Sequence, residues 1–200
     1  LLLSNKYTGF EYQGKRCLSI YNNIDDPCEI SLTNNGEDYI LIGDSHARVF
    51  SESVIKEDKG TLVDLTLGGC PFLPGLNTFL LKSEHVCNSS YQEKRKLYVI
   101  NNGKEKVTIL SSRLPFYLSG KGFNNSIGGI EKRTPMFSAK QYQDSFAVRK
   151  KDFYDSLAQS ITFLSENTRK LIIILPNHTN GWDPNKRVRK MYRLGYDLES

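Results

Sequence analysis

The chain has 200 residues, of which 38% are hydrophobic, with 27 Lys and Arg against 22 Asp and Glu for a net charge of +5. That is one domain's worth of chain with enough apolar material for a sizeable core, and no run of 18 or more apolar residues marks a membrane-spanning helix. Three dispersed histidines and no Cys-x-x-Cys pair argue against a zinc site.

Residues 1–35 are rich in Tyr, Asn, Gly and Asp and lack periodicity, so an irregular extension is expected there. Leu1-Leu2-Leu3 is too short for a signal peptide, and reads as the exit end of a helix preceding the chain. The first apolar run is 39–42, and it stops at Gly43-Asp44-Ser45-His46 before a helix expected over 47–57, with Val49, Phe50, Ser53 and Val54 at helical spacing. A serine between a buried strand and a helix start is placed to act as an exposed nucleophile with help from free backbone N–H groups. The alternative is that Ser45 only caps the helix.

A second run, 62–67, leads into Gly68-Gly69-Cys70-Pro71. A helix over 90–101 and a third run, 107–111, follow, and this run ends on Ser111-Ser112-Arg113. Residues 113–135 are glycine-rich, carry Pro115, Phe116, Tyr117 and Phe123, and have little periodicity; a hairpin, a substrate-facing loop or a plain surface excursion all fit. The longest helix is expected over 138–167, with Phe146, Phe153, Leu157, Ile161 and Leu164 as its apolar stripe. A fourth run, 171–175, precedes the loop Pro176 to Pro184, which contains His178, Trp182 and Asp183. The dense cluster Lys186, Arg187, Arg189, Lys190 and Arg193 reads as a solvated helix face, or as a contact for an anionic glycan or headgroup; no nucleic-acid-binding motif accompanies it.

Short apolar runs alternating with helices specify an α/β fold: a three-layer α/β/α sandwich on a central, mostly parallel sheet whose strands are buried on both faces. Every polar loop of interest follows a strand, where parallel sheets bind ligands. The cysteines, Cys17, Cys28, Cys70 and Cys87, allow three pairings. Local pairing, Cys17–Cys28 and Cys70–Cys87, is expected because each bridge closes a short loop, stabilising by about 3 kcal/mol. Disulfides would place the chain in an oxidising compartment; four buried thiols are the alternative.

These segments together resemble the SGNH (GDSL-type) hydrolase family, and within it the periplasmic SGNH domains fused to bacterial type-3 membrane acyltransferases, which modify surface polysaccharides. The resemblance runs through separate segments between Cys17 and Pro184. It implies a flavodoxin-like sandwich over residues 36–200, with residues 1–35 on the linker side of a membrane domain. It implies Ser45 as nucleophile, Asp44 as the structural residue ordering the turn, and Gly69 as an oxyanion N–H donor. A Gly-Gly turn leading into a disulfide explains the same glycines. The family's usual oxyanion asparagine is replaced by Arg113, which either stabilises the oxyanion or holds a polar substrate, with a salt bridge as the alternative. Trp182 is implied as a wall of the substrate site, a packed core residue being the alternative. His46 is a flanking, substrate-side feature rather than the base.

The family base belongs to an Asp-x-x-His motif that this sequence lacks: Gly43, Lys82 and Leu175 stand three residues before His46, His85 and His178. The base is therefore expected beyond Ser200. The implied activity is O-acyl transfer, most simply O-acetyl transfer, to a hydroxyl of surface polysaccharide such as the O-antigen of lipopolysaccharide. It would occur on the periplasmic side of the inner membrane, with acetyl-CoA as ultimate donor through a membrane domain of the same polypeptide. No bound cofactor, metal or nucleic acid is implied. An esterase or carbohydrate deacetylase, and a non-catalytic glycan-binding module on a degenerate fold, are the alternatives.

Overall fold

The structure, a computed structural model, describes residues 11–12, 15–16, 24–25, 27–31, 36–51, 53–54, 60–80, 83–84, 87–119, 136–138 and 145–175. In chain order it contains β1 (Glu11–Tyr12), β2 (Lys15–Arg16), β3 (Cys28–Ser31), β4 (Tyr39–Gly43), α1 (Ser45–Arg48), β5 (Thr61–Thr66), β6 (Asn77–Leu80) and β7 (Ser83–Glu84). It continues with α2 (Ser89–Asn102), β8 (Val107–Ser111), α3 (Leu114–Ser119), β9 (Met136–Ser138), α4 (Phe146–Asn167) and β10 (Lys170–Ile174).

Five strands make the central sheet in the order β10-β8-β4-β5-β3. β10, β8, β4 and β5 are mutually parallel, and β3 joins the β5 edge antiparallel. β1 pairs with β2, and β7, β6 and β9 form a separate antiparallel sheet. The sandwich expected from the sequence is present, with helices on both faces of a mostly parallel sheet. One face buries Ile40, Ile42, Val63, Leu65 and Leu110 against Val99 of α2 and Leu164 of α4. The other buries Leu41, Leu62 and Ile109 against Ala47 of α1. Side chains alternate across a strand, so a central strand covered twice must be apolar at nearly every position; β4 meets that requirement, and β8 is buried throughout but carries Thr108 and Ser111.

Four expectations change. Cys28–Ser31 lies within the stretch expected to be irregular, yet it is a sheet strand; the alternation of buried Cys28 and Ile30 about exposed Glu29 is too short a pattern to stand out. β10, expected to be buried on both faces, is partly exposed, with Ile173 and, just beyond the strand, Leu175 open to solvent; among the described residues it is an edge strand. α4 starts at Phe146, not 138: Ser145 caps it by accepting the Val148 N–H, Phe146 is exposed, and residues 136–138 are strand. α3 opens the stretch expected to be aperiodic; Pro115 sits in its first turn, where a missing N–H costs nothing.

A third cluster, Leu67, Cys70, Leu73, Leu76, Cys87, Tyr117 and Phe153, fills the carboxyl end of the sheet. The Cys70–Cys87 bridge is present within it. The partner pairing, Cys17–Cys28, involves Cys17, which lies outside the described residues. α4 reaches this end through serines: Ser156 Oγ donates to the Pro74 carbonyl at 2.8 Å and Ser160 Oγ to that of Phe72 at 3.0 Å.

Candidate active site

β4, β5 and β8 end in register, Gly43 lying beside Thr66 on one flank and Ser111 on the other. The turns that leave these strands, carrying Ser45, Gly69 and Arg113, therefore start on one line. The chain runs from β4 to β5 and later to β8 on the opposite side of β4. Strand order reverses at β4, and the crevice at such a switch point is where open α/β sheets bind ligands.

Ser45 is the first residue of α1 and is exposed. The capping role falls to Asp44, whose backbone is extended and whose Oδ1 accepts the His46 N–H at 2.7 Å. The serine hydroxyl is thus not the cap. Gly43, just before, has φ +144°, and a Cβ there would stand 1.8 Å from the Ser111 carbonyl oxygen. Only glycine fits this packed strand end.

Asp44 is fully buried and joins the β4 turn to the β8 turn. Its Oδ2 accepts the Arg113 N–H at 2.9 Å and the Tyr117 hydroxyl at 2.7 Å, while its own N–H donates to Ser112 Oγ at 3.3 Å. Burial opposes its ionisation. Hydrogen bonds from the His46 side chain, the Arg113 N–H, the Tyr117 hydroxyl and the His46 N–H outweigh that, and hold the carboxyl below its ordinary range. His46 turns Nδ1 towards Asp44 Oδ1, at 3.5 Å, with its side chain half exposed.

Arg113 reaches this network through its backbone. Its half-buried guanidinium lies over the Phe116 ring, 4.4 Å from the centroid. Gly69 has φ +72° in a turn where the Leu67 carbonyl accepts the Cys70 N–H at 3.0 Å. This is the signature of a type II turn with glycine at its third position; the turn's own hydrogen bond does not use the Gly69 N–H. The space a Cβ would take at Gly69 is open to 4 Å, so conformation and not crowding requires glycine. Leu67 in turn donates its N–H to the Gly43 carbonyl at 3.2 Å, tying the Gly69 turn to the Ser45 strand.

Sequence reasoning missed Arg95 on α2, which is wholly buried behind these turns. Its Nη1 lies 3.3 Å from the carbonyls of both Gly43 and Leu65, and its Nη2 donates to Pro71 O at 3.0 Å and Gln92 Oε1 at 2.7 Å. The guanidinium also lies 5.0 Å and 5.4 Å from the ring centroids of Tyr91 and Phe72. Burial brings its pKa down to about 10, against favourable charges on Tyr91, Asp44 and Asp64, so it remains a cation at neutral pH. Tyr117 and Ser112 were missed too. Tyr117 fell in a stretch without periodicity, and no local pattern announces a buried helix arginine. Trp182, Asp183 and His178 lie outside the described residues. Among the described residues, no cluster of three or more His, Cys, Asp or Glu side chains forms a metal site.

Residues 13–200 match the family model for the SGNH domain fused to AT3 domains. The chain belongs to this family. Its SGNH domain is therefore of the acyltransferase and hydrolase type, and the family's fusion to AT3 domains supports a membrane acyltransferase partner domain. No curated protein and no solved structure matches the chain significantly. Among the described residues, no helix is long and apolar enough to cross a membrane.

Proposed function

We propose that this SGNH domain is an extracytoplasmic O-acyltransferase that moves an acyl group, acetyl in the simplest case, through Ser45 to a hydroxyl of bacterial surface polysaccharide. The observation carrying this reading is the exposed Ser45 at the sheet's switch point, relieved of capping by Asp44, in a family joined to AT3 domains.

In the first step Ser45 Oγ attacks the carbonyl carbon of the acyl donor. A C–O bond forms, the serine proton passes to a base, and the bond to the leaving group breaks as that group takes up a proton. In the second step a sugar hydroxyl attacks the acyl-serine, a new C–O bond to the sugar oxygen forms as the acyl–Oγ bond breaks, and the hydroxyl proton passes through the base to Ser45 Oγ. The Gly69 N–H and Arg113 are assigned to the oxyanion, with Arg113 alternatively gripping a polar substrate. His46 and Trp182 are assigned to the acceptor side. We assign the base to the family's Asp-x-x-His motif, which these 200 residues do not contain. Acetyl-CoA is the ultimate donor, used by a membrane domain of the same polypeptide, which sets this domain on the periplasmic face.

The test uses the complete parent polypeptide in membrane vesicles with labelled acetyl-CoA and O-antigen polysaccharide. Label on polysaccharide with wild type and none with Ser45→Ala supports transfer. Release of all label as free acetate makes the domain an esterase, and no Ser45-dependent label in either product leaves the glycan-binding reading.

A further inference from the structure

Among the described residues Arg95 is the largest fully buried side chain, and it lies where an arginine is expensive to bury. Leucine or methionine would fill a helix-to-sheet seam without a desolvation penalty. What the guanidinium adds is its set of acceptors: Gly43 O and Leu65 O at 3.3 Å, Cys70 O at 3.4 Å, and Pro71 O at 3.0 Å. Gly43 ends the strand that delivers Ser45, and Cys70 follows Gly69 directly. One planar fork thus spans the two strand ends whose turns must face the same reacting carbonyl.

The Gly43 carbonyl receives both Arg95 Nη1 and the Leu67 N–H, so the start of the Gly69 turn and the arginine converge on one oxygen. The turn's exit is held by the Cys70–Cys87 bridge, whose Cys70 sulfur is 3.1 Å from Arg95 Nη2. In a trans peptide, C=O and N–H point in opposite directions. A cation drawing the Gly43 carbonyl inward therefore aims the Asp44 N–H outward to Ser112, where it is found. Gln92, one helical turn before Arg95, accepts Nη2 at 2.7 Å and donates Nε2 to the Pro71 carbonyl at 2.9 Å, which fixes the fork's rotation.

We propose that Arg95 is a positioning residue for acyl transfer, locking the Gly69 turn to the Ser45 strand end so that donor and nucleophile keep a fixed separation. This rests on the acyl-transfer reading of Ser45. Lysine supplies charge as a point and not as a fork, so it cannot hold Gly43, Cys70 and Pro71 together.

The test measures acylation of Ser45 in the complete domain by p-nitrophenyl acetate, with kcat and KM separated, in wild type, Arg95→Lys, Arg95→Met and Gln92→Leu. Each variant is checked for cooperative melting and for the intact Cys70–Cys87 bridge. Arg95→Met is expected to lower kcat at least tenfold, with KM within twofold of wild type. Arg95→Lys recovers only part of the loss, and Gln92→Leu lowers kcat about threefold. A folded Arg95→Lys with wild-type kcat overturns the assignment. If the Arg95 variants do not fold, Gln92→Leu decides, and wild-type kcat there overturns it equally. A wild-type domain that does not react at Ser45 at all overturns the acyl-transfer reading itself, whereas a reactive wild type matched by its variants overturns only the role of Arg95.

Discussion

The Tyr117 hydroxyl donates to Asp44 Oδ2 at 2.7 Å, joining the helix after β8 to the residue that precedes Ser45. Arg113 and Tyr117 stand 69 and 73 positions along the chain from the carboxylate they share. Hydrogen bonds to a buried charged group are worth about 1.5–3 kcal/mol. Tyr117→Phe is expected to destabilise the domain by that amount in urea titrations, and to slow Ser45 acylation because the turn loses one of its ties.

The same carboxylate gives a pH dependence with a definite sign. Its folded pKa lies below the ordinary value of 3.8, so its contribution to stability is present above the unfolded pKa and is lost as pH falls through the lowered folded value. Unfolding free energies from pH 5 downward should fall more steeply for wild type than for Asp44→Asn, which carries no titrating group there. Parallel curves for the two proteins would contradict the network drawn around Asp44.

Two glycines separate crowding from conformation. At Gly43 a Cβ would meet the Ser111 carbonyl oxygen at 1.8 Å, so Gly43→Ala is expected not to reach the native fold. At Gly69 the space is open and only φ +72° resists a side chain. Gly69→Ala should therefore fold and lose only about 1–2 kcal/mol, the cost of a left-handed conformation for an L-residue. Thermal melts of the two variants check the contrast.

Reduction of Cys70–Cys87 opens a cross-link with a sequence separation of 17. Chain entropy for a loop of that order gives about 3 kcal/mol. The Cys70→Ser, Cys87→Ser double variant should lose that stability, and should react more slowly at Ser45 because the Gly69 turn exits through Cys70. A fully reactive double variant would separate the bridge from the site.

The sequence showed most where burial is two-sided. Tyr39–Gly43 and Val107–Ser111 are short buried runs, the second interrupted by Thr108 and ending on Ser111, and their ends give away the turns carrying Ser45 and Arg113. β3 is harder to see because its pattern is short, whereas β10 reads plainly as an apolar run and only its exposure is not legible in it. The role of Asp44 came through resemblance, but its partners Tyr117 and Ser112 did not, since side chains far apart in the chain leave no periodic trace. Arg95 was invisible for a simpler reason: on a helix among Glu93, Lys94 and Lys96 it reads as one more solvated charge.

The central claim is that Ser45 is a nucleophile. Ser45 is exposed and does not cap its helix, so Ser45→Ala should change stability by no more than about 0.5 kcal/mol. The direct measurement is treatment of the SGNH domain within its full-length protein with a serine-reactive fluorophosphonate, followed by mass-spectrometric mapping of the adduct. The expected result is a single adduct on Ser45, absent from an equally stable Ser45→Ala. A folded complete domain whose Ser45 stays unmodified would contradict the account.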